Sequence, residues 1–187
     1  MTTHKPSWYE RYFHRPGWPP DARRMELSPP FFLMRVKVLA IDDGWRHIRI
    51  RLPLNAFSRN LGGGMFGGYQ ASLADPIPAL ACARVFPGYS VWTRALRVDF
   101  EHAGHDDLEL RFDFPPEQEA AIAAELARDG RSTPTFEFGY YLPDGTRCTL
   151  LHNTVAIRPK GYRKPREWHR GVRPPLCTSV APPGCHR

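Results

Sequence analysis

Residues 60–86 read NLGGGMFGGYQASLADPIPALACARVF, and the reading of this stretch decides the fold. Glycines at 62, 63, 64, 67 and 68 give way to an apolar run of helical composition over 69–86. Glycines just ahead of a helix leave backbone N–H groups open at its positive end, where an oxyanion or a polarised carbonyl can bind. Gly67 and Gly68 are the best placed, because no side chain there blocks a close approach. Further on, Asp75 is a lone carboxylate among Leu73, Ala74, Ile77, Ala79, Leu80 and Ala81. An acid on a core-facing helix is costly unless it is paired, neutralised or used. By itself it reads equally as a structural acceptor and as a chemical base. Pro76 lacks an N–H and crowds the carbonyl of Ser72, so a kink or break beside Asp75 is expected; Pro78 adds to it.

Strands flank this helix. Upstream, MRVKVLAID from Met34 alternates, Asp42-Asp43-Gly44 marks a turn, and WRHIRIRLPL alternates again, Ile48, Ile50 and Leu52 lying opposite Arg49 and Arg51. That is a β-hairpin pattern. Downstream, 91–104 and 108–115 read as two strands. PPEQEAAIAAELARDG (115–130) is an amphipathic helix opened by prolines and closed by Gly130. TPTFEFGYYL and RCTLLHNTVAIRP form a second hairpin around Pro143-Asp144-Gly145. Two strands, a helix, two strands, an inserted helix and two strands make an α+β layout, an antiparallel sheet with its helix on one face.

Gly67 and Asp75 are eight positions apart, roughly 12 Å along one helix. They cannot both act within about 3 Å of the same carbonyl. If they cooperate, the amides come from one subunit and the acid from another, which predicts a dimer with paired sites at its interface.

Asn60, the Gly67-Gly68 pair and Leu73-Ala74-Asp75 resemble the N-x₆-G-G-x₄-L-x-D pattern of hotdog-fold acyl-CoA thioesterases of the phenylacetyl-CoA thioesterase type, over about residues 30–158. The run Met65-Phe66-Gly67-Gly68, the Asp75-Pro76 pair and VWTRAL are similar to a still uncharacterised bacterial branch of that superfamily. The resemblance implies a hotdog fold, a sheet wrapped around a central helix, and it allows for the short inserted helix between strands read above from residues 115–130. It implies that Asp75 is general base or nucleophile, that the Gly67 amide polarises the thioester carbonyl, that Asn60 positions thioester or water, and that Thr93 assists the water. Gly68, Met65 and Phe66 would border the substrate. The family usually has His where this chain has Phe66, and Pro76 and Pro78 also depart from it.

The implied reaction is hydrolysis of an acyl thioester, acyl-CoA or related, to a free acid and a thiol at a dimer-interface site. No metal or redox cofactor is implied, coenzyme A entering as part of the substrate, and the assembly would be a homodimer or a dimer of dimers. The alternative on the same scaffold is a non-catalytic acyl-thioester or lipid-binding protein.

Of 187 residues, the last thirty carry much of the charge. From Arg158 onward eight Lys or Arg face a single acid, Glu167, and the rest of the chain holds equal numbers of each sign, so the net +7 belongs to the tail. A basic tail on a neutral body argues much less for nucleic acid than a charge spread over the fold would, and Trp168 among Arg163, Lys164, Arg166 and Arg170 leaves an adaptor for nucleic acid or anionic membrane as a third reading. Cys82, Cys148, Cys177 and Cys185 show no C-x₂-C spacing, His102 and His105 lack a third ligand at a foreseeable position, and no metal site is expected. Residues 1–20 hold no apolar run of the secretory kind and no stretch approaches a membrane span, so a cytoplasmic protein with reduced thiols is expected. Trp8, Tyr12 and Phe13 fall at helical spacing within 6–20. The expected organisation is an N-terminal extension with a short helix (1–29), a hotdog domain (30–159), and a basic, proline-rich, disordered tail (160–187).

Overall fold

Alternation in the sequence becomes one antiparallel sheet. The structure, a computed structural model, describes residues 20–162. The helix expected within residues 6–20 and nearly all of the tail lie outside those residues. Strands β1 (Lys37–Asp42), β2 (His47–Leu52), β3 (Tyr89–Phe100), β4 (Leu108–Asp113), β5 (Thr135–Tyr141) and β6 (Arg147–Pro159) run in the order β1-β2-β4-β5-β6-β3, every neighbouring pair antiparallel. Inward residues Ile48, Ile50, Leu52, Leu108, Leu110 and Phe112 are 0% exposed. The opposite face is polar and paired across strands, as where Arg49 Nη2 meets Asp113 Oδ2 at 2.9 Å.

The helix layer on the inner face is α3 (Gly67–Ala74) followed by α4 (Ile77–Val85). The expected break falls where Pro76 removes an N–H: Asp75 caps α3, with φ −49° and ψ −54°, and Pro76 precedes α4. Leu73, Ala74, Ile77, Ala81 and Cys82 are fully buried, and α4 packs on β3 and β6. The sheet and this broken helix are the α+β hotdog arrangement that the sequence implied.

The inserted helix α5 (Pro116–Asp129) is, with 14 residues, the longest of those described, so "short" is corrected. It buries Ile122 and Leu126 and ends at Gly130 with φ 67°, the left-handed cap that favours glycine. A bidentate pair ties it to the hairpin, Arg46 Nε and Nη2 donating to Glu119 at 2.7 and 2.8 Å.

Two helices precede the sheet, α1 (Asp21–Leu27) and α2 (Pro29–Met34). Met25, Phe31 and Met34 join the core. The first strand therefore starts at Lys37 rather than Met34: Pro29 opens a helical turn that runs to Met34, and Arg35, at φ 56°, reverses the chain. At the hairpin turn Trp45 also has positive φ, 77°. Its indole N–H donates to Asp21 Oδ2 at 2.8 Å and Arg84 lies 5.1 Å from its ring, so α1, α4 and the turn hold it in place.

Candidate functional site

The glycine-rich loop is stapled by Asn60. The Gly64 N–H donates to Asn60 Oδ1 at 3.1 Å, Asn60 Nδ2 donates to the Met65 carbonyl at 3.3 Å, and the Asn60 N–H reaches the Gly64 carbonyl at 2.8 Å. The side chain expected to position a substrate also shapes the loop, both ends of its amide being bonded inside it. Gly63, at φ 85°, makes the turn possible. Met65 donates its N–H to the Gly104 carbonyl at 2.8 Å, fastening the loop to residues 101–107.

The start of α3 is left open. Tyr69 and Gln70 both donate their N–H to the Phe66 carbonyl, and no side chain caps the helix. Among the described residues the Gly67 and Gly68 N–H groups have no partner. The Phe100 ring covers Gly67 so closely that a Cβ would sit 2.6 Å from its Cζ, and the Phe66 ring covers Gly68 in the same way. A pocket of about 480 Å³ opens here, lined by Asn60, Met65, Gly67, Gln70, Phe100 and His102 among others. On its rim Arg147 grips Glu101 at 2.8 and 2.9 Å, and that hydrogen bonding holds the carboxyl below its usual range. The His102 Nδ1 lies 2.9 Å from the Arg147 carbonyl, an acceptor only, so Nδ1 carries the proton and Nε2 is the basic nitrogen of the neutral ring.

Asp75 is at the other end of α3. Its side chain is exposed, which corrects the expectation of a core-facing acid: as the last position before the break it turns outward. What is held is its main-chain carbonyl, which accepts from Thr93 Oγ1 at 2.7 Å and from Asn153 Nδ2 at 2.8 Å. Asn60, Met65 and Gly67 therefore gather at one end of the helix, Asp75 and Thr93 at the other. Sequence reasoning missed Asn153, Gln70 and Thr149. Each left a signal, a polar residue at an inward position of an otherwise apolar strand or helix: Asn153 follows Leu151 and precedes Val155 in the alternation of β6.

Cys82 sits in the core with its thiol pushed up to about 12 by burial, in keeping with packing rather than chemistry. His102 and His105 join no group able to hold a metal ion among the described residues, where also no helix is long and apolar enough to cross a membrane.

No family model and no curated protein sequence matches the chain. Solved structures do. A Pseudomonas aeruginosa protein of unknown function, described as a probable thioesterase, is similar with a TM-score of 0.66 at 15% identity over 74% of this chain and 93% of that one. A Haemophilus influenzae thioesterase gives 0.56 at 12% over 74% and 87%. A thioesterase from Staphylococcus aureus gives 0.53 at 14% over 71% and 100%. Across identities this low the shared property is the fold, and the chain has the hotdog fold of these thioesterases.

Proposed function

We propose that this protein hydrolyses an acyl thioester, acyl-CoA being the first candidate, at a site shared between two copies. The observation that carries the reading is the separation of the half-sites: unpaired Gly67 and Gly68 N–H groups at one end of α3, where Gly67 lines the pocket, and an exposed Asp75 with Thr93 beside it at the other. Neither half is complete alone. Strand β3, next to Asp75, is an edge of the sheet twelve residues long and bears exposed Trp92 and Phe100. A long edge with apolar side chains calls for a partner, and a second β3 laid antiparallel against it would bring one copy's acid toward the other's pocket. The thioesterases of like fold support the same chemistry.

In this reading the Asp75 carboxylate takes a proton from water, whose oxygen attacks the carbonyl carbon while the Gly67 and Gly68 N–H groups stabilise the charge on the carbonyl oxygen. The intermediate then expels the thiolate, which recovers the proton, leaving a carboxylic acid and a thiol. The setting is cytoplasmic, with reduced thiols. A binding-only protein on this scaffold is the second reading, favoured by Phe66, half exposed on the loop where the resembling family places His. A panel of acyl-CoA substrates with a thiol reagent tests the proposal. Turnover above background with at least one acyl group is expected, and tight binding of the panel without thiol release would establish the second reading. Sedimentation at micromolar concentration should show a dimer, and a monomer alone would end the shared-site mechanism.

A further inference from the structure

Gln70 is a polar residue inside the molecule, 3% exposed, on the same face of α3 as Gly67 because three positions separate them. Helical side chains lean toward the N-terminus, so that of Gln70 is directed back to the first turn, where the unpaired amides are. One half of its amide is fixed: the Thr149 hydroxyl, fully buried on β6, donates to Gln70 Oε1 at 2.5 Å. Its main-chain carbonyl is fixed as well, accepting from the buried Tyr140 hydroxyl at 2.7 Å. The other half, Nε2, has no partner among the described residues. Nor is it sealed, since it is absent from the buried orphan atoms, which include Asn153 Oδ1. The residue lines the 480 Å³ pocket together with Gly67. A buried amide costs free energy unless both halves are bonded, and here the donor half meets only the pocket.

Building on the thioester reading, we propose that Gln70 Nε2 is a third hydrogen-bond donor to the substrate carbonyl oxygen beside the Gly67 and Gly68 amides, with Thr149 as the residue that positions it. No proton leaves Gln70. The N–H shortens its bond as charge grows on the oxygen, an effect that is strong because the group is already ordered and out of water. The arrangement also compensates for Phe66, which brings no donor to the loop.

The test uses the full chain and two readouts. Gln70→Met keeps length and removes the donor; kcat for the best acyl-CoA substrate should fall about 10² with KM changed little. Thr149→Val should lower kcat less. In parallel, a ¹³C=O-labelled acyl-CoA analogue with methylene in place of sulfur cannot be hydrolysed, so its infrared carbonyl band reports hydrogen bonding alone. The band should move to lower frequency on binding the parent, and this shift should shrink in Gln70→Met. If the Met variant fails to fold, Gln70→Glu serves: its band shift, which does not depend on the Asp75 base, should be retained at low pH, where the acid is a donor, and lost as it ionises. Variants that turn over within threefold of the parent and leave the band unmoved would overturn the role of Gln70 while hydrolysis stands. A Gln70-dependent band shift in a protein that releases no thiol would keep Gln70 and reject hydrolysis. An analogue that binds no better to the parent than to the variants, with no band shift, overturns this assignment outright.

Discussion

The Thr93 hydroxyl donates to the main-chain carbonyl of Asp75, not to its carboxylate, over 2.7 Å. With Asn153 on the same oxygen, the chain fixes where the acid starts while leaving the acid itself open to solvent. The bonds that hold the chain at this residue are therefore separate from its carboxylate.

Asp75→Asn should keep the fold and lower turnover by about 10² or more, since it preserves shape and removes the base. Thr93→Ala removes one of two bonds to the carbonyl; it should lose about 1 kcal/mol of stability and less activity than Asp75→Asn. Steady-state kinetics alongside thermal unfolding checks both. An Asp75→Asn enzyme as fast as its parent would show that the base lies elsewhere.

Pro76→Ala offers a separate probe of the break. The alanine supplies an N–H that the Ser72 carbonyl can accept, so α3 and α4 should join, with stability unchanged or raised by up to about 1 kcal/mol. If the break aims the carboxylate, kcat falls while Tm holds. Equal kcat would assign the break to packing alone.

Gly67→Ala should push Phe100 aside, because the new methyl would meet its ring at 2.6 Å. Phe100 is 58% exposed, so the ring can swing and stability should change by less than about 1 kcal/mol, while turnover falls. Phe100→Ala in the same chain should recover part of that turnover. No recovery would mean that the methyl blocks the amide directly.

The Arg46 guanidinium hydrogen-bonds Glu119 and holds its carboxyl below the usual 4.5. A carboxyl with a depressed folded pKa stabilises the fold above its unfolded value, and that contribution disappears as pH falls through the folded value. Both side chains are partly exposed, so the contribution is about 0.5 kcal/mol. Glu119→Gln should therefore be less stable than the parent near neutral pH and equal to it in strong acid, as urea titrations across pH would show.

The sheet was legible in the sequence because period-two alternation survives in residues such as Ile48, Ile50 and Leu52, whose burial is complete. The helix break was legible because a missing N–H is a local property of Pro76. The start of β1 was not: Met34 and Val36 continue the alternation on paper, but a helix begun by Pro29 claims Met34 first. Asp75 was found by its chemistry and misjudged in its burial, since which way a residue points at a break depends on geometry rather than on the apolar neighbours in the chain. Asn60 was recognised as important for a role in substrate contact, while its bonds lie inside the loop. Thr149 and Asn153 stood out as polar residues at inward positions of β6, but what they bond lies more than seventy positions away, a distance at which pattern names no partner.

The order in which the strands are made has its own consequence. β3 finds its neighbour only in β6, the last strand, with Trp92 opposite Ala156 and Phe100 opposite Thr149. While the chain is being synthesised, β3 and the helix before it must wait for about fifty further residues before the sheet can close over them, a long-range pairing of the kind that folds slowly. β6 also brings Thr149 to Gln70 and Asn153 to Asp75. A chain that ends before residue 147 would therefore keep the loop stapled by Asn60 and lose the strand that holds Gln70 and the Asp75 carbonyl, so the pairing of β6 completes the surroundings of both.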